Sequence, residues 1–382
     1  MFLALMLVAC KPPQAAVPEE GPQVRFRPQP EPTGLAAETT LRVPGSTWDD
    51  GLARATRLLV QQSADRKAHL SVQAMSMASG IAGYPGQAAF AKEVNGGAFP
   101  QGIAREFAAF AMSTDVAVDV GMARRDYGDG LTLWVGGIAR RPLLVDPMPR
   151  DLAMDEPLAV YLEGDRDDLV LFLSSPQSPV RAFEPTTGVH LWLDLFHVPG
   201  IYTFEVVDPS AGEVLLLWDH FVDVEPELPT LKPMTDALPD PMAATDALYV
   251  ALNALRADAG LGPVTRFRNF EPLAREHAAL MAHSGQVAHT LPGISPGVPA
   301  KAETGFVPSA LHHEDVAAGY SWEEALELVT RSPGHLRNLL CEPCTHASIG
   351  VALEPEIDAR PRLFVVWELL EFPSGIPEAK PW

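Results

Sequence analysis

The sequence predicts a multidomain protein: an α+β unit over residues 46–145, an all-β sandwich over 152–226 and an α-β-α layered unit over 245–375. Three observations predict it. Proline clusters interrupt the chain before residue 46 and again over Pro226–Pro241. Between them lie short alternating strand runs, and after them come helical repeats followed by a final strand pair. A chain of 382 residues is long enough for two or three separate cores.

Composition narrows the function classes. The net charge of −21 leaves no basic stripe to neutralise phosphates, which argues against a nucleic-acid partner. Hydrophobic content of 47% with 20% charged residues is that of a folded, globular chain.

Residues 1–9, Met-Phe-Leu-Ala-Leu-Met-Leu-Val-Ala, are apolar throughout and end at Cys10. The run is too short to span a bilayer, which takes about 20 residues, but it suits the apolar region of a secretory signal. Leu7-Val8-Ala9-Cys10 resembles the bacterial lipobox, which implies cleavage before Cys10 and a lipid anchor on its sulfur. No Lys or Arg precedes Cys10, so a basic leader is expected upstream. Residues 10–45 hold eight prolines among polar residues and are expected to form a semi-extended tether from that anchor.

In the 46–145 unit, Leu52, Ala55, Leu58 and Leu59 share a helical face, and a second helix ends near Ala78 and Ile81. A third helix runs from Ile103 to Ala111. Val116, Val118 and Val120, the turn at Gly128-Asp129-Gly130, and Leu131, Leu133 and Val135 form a hairpin. From 152 to 226, strand runs around Val160, Leu169–Leu173, Val189–Leu195, Ile201–Val207 and Val214–Trp218 alternate with turns such as Asp208-Pro209-Ser210-Ala211-Gly212. Pro199-Gly200-Ile201-Tyr202 entering a strand is similar to immunoglobulin-like modules. His190, His197 and His220 read as ordinary strand histidines.

Residues 227–244 read as a linker. In the 245–375 unit, Thr245 is expected to cap a helix that stops at Gly260, and Asn269 to open a second that ends at Gly285. Ser321-Trp322-Glu323-Glu324 is a capping box for a third helix. In Ser332-Pro333-Gly334-His335, Ser332 caps a fourth helix, Pro333 takes its first position and His335 falls in its first turn. There the unpaired backbone N–H groups disfavour imidazolium, which keeps His335 neutral. Ser348–Leu353 and Leu363–Leu369 alternate as paired strands.

His289, Glu314 and His335 each stand beside chain punctuation, where side chains face clefts. Two imidazoles and a carboxylate suit a Zn²⁺ shell with an open position, or an acid/base pair around a ligand.

These segments resemble the CAP superfamily, the SCP-like or pathogenesis-related-1-like proteins. The matching residues are Leu252-Asn253-Ala254-Leu255-Arg256, Leu273-Ala274-Arg275-Glu276-His277-Ala278, His289-Thr290, Gly305-Phe306, Glu314-Asp315-Val316-Ala317-Ala318-Gly319, Ser332-Pro333-Gly334-His335 and Ile349-Gly350-Val351-Ala352. They cover about a third of the chain. The resemblance implies an α-β-α sandwich with a central cavity lined by His289, Glu314 and His335. It also implies lipid, protein or divalent-cation binding, with Zn²⁺ among the possible ions. A second cavity glutamate of some relatives falls at Ser332 here, which puts in doubt any mechanism needing two. His313, with His312 beside it, either joins the site or faces solvent.

Cys341-Glu342-Pro343-Cys344 follows the fourth helix. In an exported chain the two cysteines pair with each other; zinc ligation with His346 and a redox role are the alternatives. Asp119-Val120-Gly121-Met122-Ala123 with Leu131–Val135 parallels Ser348-Ile349-Gly350-Val351-Ala352 with Leu363–Trp367, so 46–145 is expected to be a degenerate CAP-like copy or a coincidental hairpin. The reading is a lipid-anchored cell-envelope protein that binds an envelope lipid, a protein or a cation and is not an enzyme. The alternative is a metal-dependent hydrolase using His289, Glu314 and His335, although no Gly-x-Ser-x-Gly nucleophile signature occurs.

Overall fold

The computed structural model describes residues 22–29, 33–63, 69–229, 231, 240–289, 291, 312–355 and 361–372. The expected signal, Cys10, Thr290 and Gly305-Phe306 lie outside the described residues. Among the described residues, no helix is long and apolar enough to cross a membrane.

The chain begins with β1 (Gln23–Val24), α1 (Leu35–Arg42), β2 (Ser46–Trp48), α2 (Asp50–Gln62) and α3 (Val72–Ala82). Then come β3 (Ala88–Asn95), α4 (Gln101–Met112) and the hairpin β4 (Ala117–Asp126) and β5 (Thr132–Arg141). The expected tether therefore stops short of residue 45. Val24 is fully buried in the core of the following sandwich, and Ala36 of α1 is buried in the first unit. The prolines here separate elements that carry their own apolar anchors. Asp49 secures the junction: its carboxylate caps α2 through the Leu52 N–H at 3.0 Å and also accepts from the Arg27 N–H at 2.5 Å.

A sandwich follows, with β6 (Leu144–Val145), β7 (Met148–Pro149), β8 (Asp151–Leu152), β9 (Leu158–Val160) and β10 (Leu162–Glu163). It continues through β11 (Val170–Ser175), β12 (Ser178–Phe183), β13 (Leu191–Leu193), β14 (Gly200–Asp208) and β15 (Glu213–Val222). Its main sheet has the order β12-β11-β14-β15-β8, faced by short pairs that include β13-β9 and β1-β7. Phe204, Val206 and Trp218 point into its core.

The last unit holds α5 (Pro241–Asp258), β16 (Thr265–Arg266), α6 (Glu271–Ser284) and β17 (His312–Gly319), then α7 (Trp322–Arg331), α8 (Pro333–Leu339), β18 (His346–Leu353) and β19 (Leu363–Leu370). Two helix starts differ from expectation. Asp240 caps α5, with Pro241 at its first position, so the linker ends at 240; Thr245 instead bonds back to the Pro241 carbonyl at 2.8 Å. Phe270, not Asn269, precedes α6 and makes no side-chain cap bond. Ser321 and Ser332 cap α7 and α8 as expected, and Gly285 closes α6 in the left-handed conformation with φ 68°.

The sheet of this unit runs β16-β18-β19-β17, with α6 on one face and α5, α7 and α8 on the other. The first unit runs β2-β4-β5-β3, with α2 on one face and α1 and α4 on the other. Strand directions agree too. The short strand is parallel to the first hairpin strand, and the far edge strand is antiparallel to the second.

One close packing contact recurs in both units. A Cβ on Gly350 of β18 would lie 2.1 Å from the Ala274 carbonyl carbon in α6, and one on Gly121 of β4 would lie 2.3 Å from the Ala53 nitrogen in α2. Only glycine lets either helix seat on its sheet. The tryptophans singled out in the sequence are not equivalent: Trp134 faces Arg124, whereas Trp367 faces Ile349, whose counterpart Val120 faces Ile138.

The three units meet around α7 and α8. Arg331 bonds Ser76 of α3 at 2.6 Å and pairs with buried Asp219 of β15. His69 pairs with Glu324 and meets the Tyr320 ring edge-on at 5.5 Å.

Candidate ligand-binding site

Glu314 bonds His289 and a further residue, His277, while His335 reaches the group by stacking on His289. The donor atoms of His289, Glu314 and His335 do not all lie within 4.8 Å of one another. The apolar stripe Ala274, Ala278 and Met281 seats α6 on the sheet, and this spacing turns His277 toward β17. Strand alternation does the rest: Val316 of β17 packs on the α6 side, and Glu314, two residues earlier, shares that face. After Gly285 reverses the chain, the segment to His289 folds back beside α6, pinned where the His277 Nε2–H donates to the Ala288 carbonyl at 3.0 Å.

Glu314 is the hub. Its Oε2 accepts from His277 Nδ1 at 3.2 Å and its Oε1 from His289 Nδ1 at 3.1 Å. Both His277 nitrogens donate, the pattern of imidazolium, and the Glu314 carboxylate raises the His277 pKa against the opposing effect of burial. His289 spends its Nδ1–H on Glu314, so in the neutral ring Nε2 carries the free lone pair. The His289 ring is partly exposed, which opens the site to solvent.

His335 stacks on His289, with ring centroids 6.2 Å apart and planes inclined by 27°. Burial, helped by repulsion from His289, lowers its pKa to about 4. The direction agrees with the expectation of a neutral imidazole here, but the causes are burial and His289 and not the helix start. His335 Nδ1 lies 2.7 Å from Ser332 Oγ, and that hydroxyl donates to Glu205 of β14 at 2.6 Å.

Behind Glu314, on the other face of β17, Asp315 is fully buried. Burial drives its carboxyl pKa well above the usual range, and it accepts from Asn338 Nδ2 at 2.9 Å. His313 shares that face and stands beside Cys341 and Cys344. These cysteines form a disulfide, with Cα atoms 5.4 Å apart. Among the described residues, His313, Cys341 and Cys344 are the one trio whose donor atoms all lie within 4.8 Å of one another, but bonded sulfurs offer no thiolate to a metal. His346, the zinc partner considered from sequence, instead packs against Phe267 and Phe372. Beneath the bridge, the Arg256 guanidinium donates to the carbonyls of Leu339, Cys341 and Cys344.

The three histidines read as strand residues do not converge, and of them His220 alone lies in a strand, β15. His190 lies between Tyr161 and Trp192, His197 pairs with Asp155 at the surface, and buried His220 accepts from Trp218 Nε1 at 3.0 Å.

The first unit has the scaffold without this site. Ala88 pairs with Ala139 where Glu314 pairs with Glu368, and the contacts of Gly121 and Gly350 make Ala55 the counterpart of His277.

Sequence reasoning missed His277 and Glu205. His277 had a signal, because it stands three residues after Ala274 on a buried helical face. Glu205 had only strand alternation, which puts it opposite Phe204 and Val206 without saying that another unit covers that side.

No protein-family profile and no curated protein matches the chain. Among solved structures, an outer surface protein of Borrelia burgdorferi is similar at 22% identity and TM-score 0.29, over 35% of this chain and 96% of that one. An extracellular SCP-domain protein of Bacillus anthracis is similar at 14% identity and TM-score 0.30, over 61% and 86%. A cysteine-rich secretory protein of Staphylococcus aureus is similar at 12% identity and TM-score 0.27, over 60% and 86%.

Proposed function

We propose that this chain is a CAP-like cell-envelope protein, lipid-anchored through Cys10, whose last unit binds a divalent cation such as Zn²⁺ through His289, Glu314 and His335, with the His289–Glu314 hydrogen bond given up so that the three donors draw together. The observation that carries the reading is the Glu314 carboxylate held beside two imidazoles, with His335 kept neutral and stacked on the exposed one. Neutral imidazole nitrogen and carboxylate oxygen are donors that suit Zn²⁺ and neighbouring divalent ions. His277 would not be a ligand. As a cation bonded at both nitrogens, it orients Glu314.

The same residues favour binding over hydrolysis. A metal-assisted hydrolase needs a carboxylate free to take a proton from water, and Glu314, assigned here as a ligand, cannot also serve as that base.

Calorimetric titration of the full chain with Zn²⁺ tests the site. One binding event is expected, weakened about tenfold or more by His335→Ala. No binding heat, or an affinity unchanged in that variant, would sink the cation site. For the anchor, labelled palmitate should enter the wild-type chain in a bacterial host and fail to enter Cys10→Ala; label in both or in neither contradicts it.

A further inference from the structure

The polar network does not end at His335 but crosses into the β-sandwich. Glu205 of β14 has no solvent exposure, and its strand neighbour is Phe172. Both of its oxygens accept from the start of α8: Oε1 from the Ser332 hydroxyl at 2.6 Å and Oε2 from the Gly334 N–H at 2.6 Å. Gly334 permits the approach, because a Cβ there would stand 2.9 Å from Glu205 Oε2 and 3.4 Å from the Phe172 ring. A second carboxylate of the same sandwich, Asp219, holds the preceding residue, Arg331.

We infer that Glu205 is a positioning residue for the site in the last unit, acting through Ser332 to fix which nitrogen of His335 carries its proton. A serine hydroxyl has one hydrogen. With that hydrogen directed to Glu205, Ser332 Oγ meets His335 Nδ1, 2.7 Å away, with lone pairs only. Nδ1 must therefore be the protonated nitrogen. A neutral imidazole has one N–H, so Nε2 is left with the lone pair.

An outer partner that sets the tautomer of a ligating histidine is a recurrent device in metal sites, usually supplied by a carboxylate or carbonyl directly. Here the carboxylate belongs to another unit and works through a hydroxyl. The sandwich is thus part of the site, and the site is complete only when the two units are docked. The inference rests on the cation reading for its purpose; the proton assignment rests on the hydrogen bonds of Ser332 with Glu205 ionised, a state that burial opposes and the Ser332 and Gly334 donors support.

The test uses the full chain labelled with ¹⁵N-histidine, free of metal and near neutral pH, with His335 assigned by comparison with His335→Ala. Wild type should show the Nδ1–H tautomer at His335. In Glu205→Gln, the side-chain carbonyl takes the Gly334 N–H and the amide donates to Ser332 Oγ. The serine proton then turns to His335 Nδ1, and the ring should move toward the Nε2–H tautomer. Ser332→Ala, which keeps Glu205 and removes only the relay, should populate both tautomers. Zn²⁺ affinity should fall about tenfold in each variant.

A wild-type Nε2–H tautomer would overturn the inference. So would an unchanged tautomer in both variants, because a carboxylate that merely docks the units does not set the ring's proton. If Glu205→Gln does not fold, Ser332→Ala decides alone. If wild type binds no Zn²⁺, the proposed function fails while the ¹⁵N spectra still decide this point.

Discussion

The first and last α/β units share a strand order, helix layering and one glycine contact, yet they carry different ionisable side chains: Asp119 with Tyr84 and Arg141 in the first, Glu314 with His277 and His289 in the last. Where β17 has Glu314, β3 has Ala88, and where α6 has His277, α2 has Ala55. The scaffold therefore does not require the polar residues. At these two positions the first unit avoids the cost of taking polar groups out of water, and a partly buried set kept there in the last unit is a reason to look for function. The charge distribution differs too. In β4, Asp119 occupies the place that Ser348 holds in β18.

The largest expected effect probes the shared packing. Gly350→Ala and Gly121→Ala should each cost about 3 kcal/mol or more, because the added methyl meets helix backbone rather than a movable side chain. Gly262→Ala, which meets nothing within 4 Å, should change urea stability by less than about 0.5 kcal/mol. A tolerated Gly121→Ala would break the equivalence of the two units.

Next comes the docking of the last unit onto the sandwich sheet through Arg331 and Asp219, where the first unit instead pairs Arg140 with Glu213. Arg331→Ala leaves Asp219 buried without its cation and should cost about 3 kcal/mol in denaturant unfolding. Thr203 still donates to Asp219 at 2.8 Å, which sets the effect at the low end for a broken buried pair.

The charge difference should appear as a pH effect. Burial raises the Asp119 pKa to about 7, against the pull of Arg141. Between the ordinary carboxylate value and pH 7 the folded state holds a proton that the unfolded state has lost. Stability from this group is therefore present at low pH and declines as pH rises through that window. Relative to Asp119→Asn, wild type should lose about 2 kcal/mol between pH 5 and pH 7. Ser348→Ala in the last unit should show no such slope, and an equal slope there would contradict the assignment.

The smallest effect belongs to the Cys341–Cys344 bridge. It closes a loop so short that its removal by paired Cys→Ser changes should cost no more than about 2 kcal/mol by the chain-entropy relation. A complete loss of folding would mean that the bridge also supports Arg256 beneath it.

Much of this was legible in the sequence. Periodicity placed most helices, and the caps at Ser321 and Ser332 landed because their chemistry is local. The parallel between Val120-Gly121 and Ile349-Gly350 was legible because a glycine under a helix leaves a fixed motif. The tether was overextended because composition averages hid Val24, buried in the sandwich far along the chain, and Ala36, buried in the unit that follows it. Short β2 and β16 give no periodic signal. Of the site, three residues were readable from punctuation and resemblance. Glu205 was not, because its significance depends on two units meeting, and no local pattern encodes that.

The most direct test of the difference between the two units is metal stoichiometry. The full chain, equilibrated with Zn²⁺ without reductant and dialysed, should retain one ion per chain by elemental analysis, and Glu314→Ala should retain none. No retained ion, two ions, or one ion that survives Glu314→Ala would contradict a single site in the last unit.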